Sequence, residues 1–173
     1  SKPLLEVTMR LRMPLLALVV TLAFLAPSPT SEARAESSIA KTVTVVVDFG
    51  KKSGRATRVI SLSNVSTSAT GWALLTQTKL KIEGTQQYPT GFVCRIAGWP
   101  TSKQQDCADT PTYKEGHWAY YVTSFSRGGG WLLSGQGAAS HVPDCAGYEG
   151  WSWIAGGEAN KPPRFKVDNR ACK

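Results

Sequence analysis

Five carboxylates and two histidines in the second half of the chain are the side chains whose chemistry could support catalysis. Hydrolysis of a glycosidic bond requires a pair of carboxylates across a cleft. Acidic residues in loops are more often solvated or capping groups, however, and residues 133–137, LSGQG, depart from the G-x-S-x-G nucleophile pattern. Neither histidine has a recognisable partner. We therefore expect no enzymatic activity and no catalytic residue. The carboxylates are Asp106, Asp109, Glu115, Asp144 and Glu149, and the histidines are His117 and His141.

Residues 1–35 contain an upstream stretch followed by the three parts of a secretory signal peptide. A short basic start, residues 9–12, precedes an apolar run that ends at Pro27, and residues 31–35 end in an A-x-A cleavage pattern. The apolar run is shorter than the ~20 residues that span a bilayer. We expect cleavage after Ala35, a secreted or extracytoplasmic product, and no membrane span after cleavage.

Four cysteines follow the signal peptide, and in exported proteins an even set usually forms disulfides. Three pairings are possible. We favour Cys94–Cys107 and Cys145–Cys172, because each pair brackets a compact segment rich in Pro, Gly or Asp. A zinc site is the weaker alternative, since there is no C-x-x-C and the chain has only two histidines. The sequence therefore predicts two disulfides and no metal site.

The chain is basic, with 20 Lys and Arg residues against 12 Asp and Glu residues. Removing residues 1–35 leaves it basic. The cationic residues are scattered and the product is exported, which argues against nucleic acid as a partner. A basic exported domain can contact an anionic cell wall or membrane surface, although a solvated surface is the simpler interpretation. We expect a monomer.

The strongest strand pattern lies at residues 117–125, HWAYYVTSF, which carry the densest run of large aromatic side chains. Alternate side chains of a strand point to opposite faces, so both faces of this one need cover. We expect Tyr121 and Phe125 to face the helix, with Trp118 and Tyr120 on the other side. Alternation alone leaves the reverse assignment open.

The remaining elements follow from β-branched runs, turn residues and one helical spacing. A strand at 42–49 and a second at 56–62 predict a hairpin. Ser66 or Ser68 could cap the one good helix, at 69–77. This order predicts an α+β fold in which a β-grasp-like mixed sheet packs on one short helix. Residues 36–41 form a polar leader, residues 42–173 form a single domain with a disulfide-tied tail, and further strands lie at 91–98, 131–134 and 147–154.

Four short motifs occur in order at residues 68–75, 91–98, 117–122 and 147–151: SAT with ALL, then GFVCRIAG, HWAYYV and GYEGW. Together they resemble the domain family that includes the C-terminal β-domain of transcobalamin and intrinsic factor, and most closely its small secreted bacterial members. The similarity covers residues 42–165. In transcobalamin-like proteins this β-domain closes over the corrinoid, while a separate helical barrel supplies most of the cradle. The resemblance implies a β-grasp fold and no catalytic residue.

Two functions are expected from these observations. The first is a secreted, non-catalytic module that binds a corrinoid-type or other flat ligand, or a glycan, on aromatic side chains, with no other cofactor. The alternative for these rings is the core of a small domain. The second function is a cell-surface interaction module that contacts wall or protein partners through a basic face. The residues proposed for ligand binding are Trp118, Tyr120, Trp131, Trp151 and Trp153.

Overall fold

A mixed five-stranded sheet with one short helix forms the centre of the computed structural model, which describes residues 41–123, 129–143 and 147–168. The predictions for the signal peptide at 1–35, for Phe125, for Asp144 and for the Cys145–Cys172 bond lie outside the described residues. The strands of this sheet are β1 (Lys41–Asp48), β2 (Arg58–Val65), β5 (Gly116–Thr123), β6 (Trp131–Leu133) and β7 (Tyr148–Ala155), while β3 (Ile82–Gly84) and β4 (Val93–Ile96) form a separate antiparallel pair. The strand order in the large sheet is β2-β1-β7-β5-β6.

The first and last strands meet at the middle of the large sheet. β1 and β7 run parallel, with Val46 opposite Gly150, and every other pair in this sheet is antiparallel. The predicted hairpin of β1 and β2 is confirmed. β1 is valine-rich because both of its faces are covered, and a strand buried on both sides needs no polar alternation. The coarse α+β prediction is therefore confirmed.

The helix, α1 (Gly71–Gln77), has only seven residues and is held by packing more than by its own propensity. Its apolar face buries Leu74 and Leu75 completely. The predicted caps Ser66 and Ser68 are wrong: Thr70 is the N-cap, and its side-chain oxygen accepts a hydrogen bond from the backbone N–H of Ala73 at 3.3 Å.

The face assignment of the aromatic strand is also corrected. Trp118 belongs to the main core beside Leu74 and Leu75, and Tyr120 packs against the same cluster. Tyr121, which we expected to face the helix, instead packs on the opposite face with Ala119 and Ile154. The fold therefore adopts the reverse assignment, in which Trp118 and Tyr120 are on the helix side of the sheet and Tyr121 is on the other.

The second face of the sheet is covered by the chain's own C-terminal tail, residues 158–168. Trp131 donates its indole N–H to the Phe165 carbonyl at 2.8 Å. A Cβ on Gly150 would lie 2.9 Å from Pro163 Cγ and within 3 Å of the Trp131 ring. Only glycine therefore lets the tail and the tryptophan lie so close to β7.

The Cys94–Cys107 prediction is confirmed, because the two cysteines form a disulfide. The same irregular segment is also held by Arg95, which is largely buried. Its Nε donates to the Pro100 carbonyl at 3.0 Å and its Nη1 to Glu83 Oε2 at 2.9 Å, while Nη2 donates to the Gln105 carbonyl. The segment between the two cysteines is therefore tied at several points and not only at its ends.

No helix within the described ranges is long and apolar enough to cross a membrane.

Candidate functional site

Three of the five aromatic residues proposed for ligand binding line one cavity of about 340 Å³, here called the aromatic cleft. These are Trp118, Tyr120 and Trp151, and Phe92 joins them from the segment before β4. The volume lies at the lower end of the range for small-molecule sites, which are mostly apolar with a few convergent polar groups. Polar side chains at this cavity come from His117, Ser134, Gln136 and Asn160.

The aromatic rings are held rigidly because they pack on one another. Tyr120 and Trp151 lie opposite each other on β5 and β7, and their ring centroids are 4.9 Å apart. Trp118 packs edge-on against Trp153 with centroids 5.6 Å apart. Trp118 and Trp151 are only 5% and 1% exposed, so most of each ring belongs to the core. Little of either indole ring is therefore exposed to a ligand, and the half-buried Tyr120 is the most accessible of the three.

The other two proposed residues lie elsewhere. Trp131 is on the opposite face of the sheet, where it contacts the tail. Trp153 lies among the residues that line a second cavity, which is described below. The five residues therefore do not form one continuous surface.

Tyr120, which lines the aromatic cleft, also belongs to a polar cluster with His141 and Glu149, of which Glu149 is fully buried and the other two are half-buried. The Tyr120 hydroxyl donates to Glu149 Oε2, and His141 Nε2 lies 3.4 Å from Glu149 Oε1. Burial raises the pKa of Glu149 above its ordinary value of 4.5, although the hydrogen bonds from His141 and Tyr120 act in the opposite direction. Burial and the neighbouring carboxylate likewise raise the pKa of the Tyr120 hydroxyl. Because its pKa is raised, the Tyr120 phenol stays protonated and can donate its hydrogen bond to Glu149.

The loop 137–143 links the aromatic cleft to this cluster. Its carbonyls accept hydrogen bonds from the first turn of α1, from Gly71 N–H to His141 at 2.9 Å and from Trp72 N–H to Ala138 at 2.8 Å. The Lys41 ammonium donates to the Pro143 carbonyl at 2.6 Å. Since Gly137 and Ala138 also line the aromatic cleft, the position of one cavity wall depends on the polar cluster.

Replacing the buried acid is expected to change how stability depends on pH. A carboxyl whose folded pKa is raised contributes stability that is present below its unfolded pKa and lost as pH rises through the folded value. Glu149→Gln removes this titration, so the variant should become more stable relative to the wild type as pH rises from about 4. Guanidinium unfolding of both proteins across this range measures the difference.

The matched control for that measurement is Glu115→Gln at an exposed position. Hydrogen bonds from the side chain and backbone of Thr112 lower the pKa of Glu115, so any difference there should have the opposite sign. A constant difference between wild type and Glu149→Gln across the pH range would contradict the raised pKa.

The second cavity, here called the basic cleft, has a volume of about 400 Å³ and lies where the tail passes the end of β1 and β7. Its floor includes Asp48 and Ser152, both nearly inaccessible to solvent. Asp48 accepts hydrogen bonds from the backbone and guanidinium of Arg164 and from Gly50 N–H. Four cationic side chains line the opening, namely Lys51, Lys52, Lys161 and Arg164, with Glu158 beside them.

Sequence reasoning did not find the basic cleft. Lys51 and Lys52 are interpreted from sequence as turn residues, and Lys161 and Arg164 lie more than 100 positions further along. One signal was available: Asp48 follows three consecutive valines at the end of β1, and an acid buried at such a position requires a partner.

The carboxylates considered for glycosidase chemistry lie in different environments. Glu149 is in the interior, whereas Asp106, Asp109 and Glu115 are on exposed loops. Asp106 accepts the N–H of Ala108, which is a local turn contact. Within the part of the chain that the structure describes, no group of three or more His, Cys, Asp or Glu side chains could hold a metal ion.

Comparison of the sequence with protein-family models and with curated proteins finds no match. Function is therefore inferred from the chemistry of the two cavities.

Proposed function

We propose that this chain is a secreted, non-catalytic binding module that holds a small, flat, partly apolar ligand in the aromatic cleft. The observation that carries the proposal is the convergence of Trp118, Tyr120 and Trp151 on one cavity with polar groups at its edge. Aromatic rings supply contact area at little conformational cost, and the rings here are already fixed by mutual packing. The signal-peptide pattern supports export.

The strand order supports the finer fold proposal, a β-grasp domain of the transcobalamin-like kind. An opening hairpin, a following helix, and a last strand inserted parallel to the first are the arrangement that such a domain uses. The aromatic cleft, at about 340 Å³, is too small to enclose a complete corrinoid. A corrinoid would therefore place one edge of its ring system in the cleft, whereas a smaller ring compound or a sugar would enter whole.

Tryptophan fluorescence titrated with cyanocobalamin and with N-acetylglucosamine oligomers tests this proposal. Gly137 lines the cleft, and no atom lies within 4 Å of a Cβ at this position, so Gly137→Leu should fill the cavity without disturbing the fold. We expect the bound ligand's affinity to fall by roughly tenfold or more in this variant, since displaced contacts of about 1.4 kcal/mol suffice for that factor.

Ser102→Leu, which adds the same side chain on an exposed loop, is the control and should bind as the wild type does. The proposal is wrong if neither ligand changes the fluorescence, or if Gly137→Leu binds as tightly as the control.

The basic cleft favours a second candidate function, contact with anionic wall or protein partners through a basic face. Lysine and arginine side chains that converge on one opening attract polyanions at low ionic strength. Adsorption to anionic wall preparations should weaken as salt is raised, and adsorption that is unchanged from low to high salt would count against it.

A further inference from the structure

The basic cleft carries a net positive charge. Its four cationic side chains face two carboxylates, which leaves two positive charges if every group is ionised. Both carboxylates are already engaged. Asp48 is bound by Arg164, and Glu158 Oε1 lies 2.6 Å from Lys52 Nζ while Oε2 lies 3.6 Å from Lys161 Nζ. An anion that enters the cleft therefore meets neutralised acids and surplus cations.

The donors in the cleft come from three parts of the chain. Lys51 and Lys52 lie on the short 3-10 turn after β1, Ser152 lies on β7, and Lys161 and Arg164 come from the tail. Ser152 is 4% exposed and lines the cleft. A hydroxyl group in the lining of a cavity can donate a hydrogen bond to a ligand that enters it.

We propose that the basic cleft binds a phosphate group, with the Ser152 hydroxyl and the ammonium groups of Lys51 and Lys161 as its donors. A phosphate monoester carries close to two negative charges and offers three strong acceptor oxygens, which suits donors arriving from several directions. A carboxylate offers one charge and two oxygens. The phosphate could belong to a small soluble molecule or to a polymer of the cell surface. The inference deepens the second candidate function and rests on it only for the source of the phosphate.

Calorimetric titration with inorganic phosphate and with glycerol 1-phosphate, at low ionic strength and about pH 8, tests the site directly because both probes are then largely dianionic. We expect the wild type to bind both more tightly than acetate. The double variant Lys51→Gln, Lys161→Gln should lose roughly tenfold or more in affinity, because it removes two charged donors. Ser152→Ala should lose a smaller factor, about threefold to tenfold.

The double variant Lys79→Gln, Lys103→Gln removes the same charge from exposed positions outside the cleft, and its affinity should stay close to that of the wild type. Equal weakening in both double variants would mean diffuse attraction and would overturn the proposal. Absence of binding to any phosphate probe would overturn it too. Circular dichroism melts of all variants exclude unfolding as the cause.

Poly(glycerol phosphate) separates the two sources when it is compared with glycerophosphoglycerol, a small diester that carries the same single charge per phosphate. If the polymer binds much more tightly than this diester, and this gain disappears in the Lys51, Lys161 double variant, the partner is a surface polymer. Equal affinity per phosphate indicates a small molecule. Phosphate binding is measured in solution, whereas adsorption is measured on wall preparations. The phosphate-site proposal and the second candidate function can therefore fail independently of each other.

Discussion

Replacing Gly71 by alanine should destabilise the protein by about 2–3 kcal/mol, the upper part of the usual range for overpacking a well-packed core. A Cβ at this position would lie 2.8 Å from Tyr120 Cζ and 2.9 Å from Glu149 Oε2. Neither atom is at the end of a freely moving side chain, because the two residues are hydrogen bonded to each other, Glu149 is buried and Tyr120 packs against the core. Alanine is the better helix former by about 1 kcal/mol, so propensity alone predicts the opposite result.

Guanidinium unfolding measures this change, with Gly135→Ala as its control. No atom lies within 4 Å of a Cβ at Gly135, so that variant should stay within about 0.5 kcal/mol of the wild type. Adding Tyr120→Phe to Gly71→Ala removes the hydroxyl group beside the new methyl and should recover part of the loss. A Gly71→Ala protein as stable as the wild type would show that the helix start and the polar cluster are not in contact as described.

Asp48→Ala should cost about 3 kcal/mol at neutral pH, within the range for removing one partner of a buried ion pair. The carboxylate is 1% exposed and binds three groups of the chain: the Gly50 N–H at 2.9 Å, the Arg164 N–H at 2.7 Å and the Arg164 guanidinium. Arg164 is 40% exposed and can be hydrated after the change, which keeps the loss from being larger.

The pH dependence of this loss has a defined sign. Burial raises the pKa of Asp48, but the hydrogen bonds from Arg164 and Gly50 and the charge of Arg164 outweigh it, so the pKa lies below its ordinary value of 3.8. A lowered folded pKa contributes stability above the unfolded pKa that disappears as pH falls through the folded one. The gap between wild type and Asp48→Ala should therefore be constant near neutrality and shrink below about pH 4.

Asp109→Ala, at an exposed loop position, should change the unfolding free energy by no more than about 0.5 kcal/mol at any pH. A double-mutant cycle with Arg164→Ala measures the coupling itself. If the cycle shows no coupling, the ion pair does not attach the tail to the sheet.

The elements that local pattern decides could be predicted well from the sequence. Strand propensity clearly exceeds helix propensity in the valine run of β1 and in the aromatic run of β5, and the residues between β1 and β2 favour a turn. The start of α1 could not be predicted, because hydrogen bonds between its first turn and the 137–143 loop determine where the helix begins. Two serines at nearby positions are equally good caps in isolation, so sequence alone cannot weigh those contacts.

The candidate sites could be predicted only in part, for a different reason. Alternation along β5 identifies which side chains share a face, but both faces are apolar and the pattern does not say which one meets the helix. Glu149 and His141 stand out separately in the sequence as possible catalytic groups, and only the fold brings them together with Tyr120. The basic cleft depends on a tail with no secondary structure, for which periodicity carries no information.

The parallel pairing of β1 with β7 also affects how fast, and in what order, the sheet can fold. These strands lie near opposite ends of the described chain, and β5 reaches the rest of the sheet only through β7. Pairing so distant in sequence requires closing a long loop before any contact compensates the lost entropy, and such topologies fold slowly. The central sheet cannot be completed until β7 has left the ribosome. During synthesis β5 and β6 therefore wait for the last strand before they join β1 and β2 in one sheet.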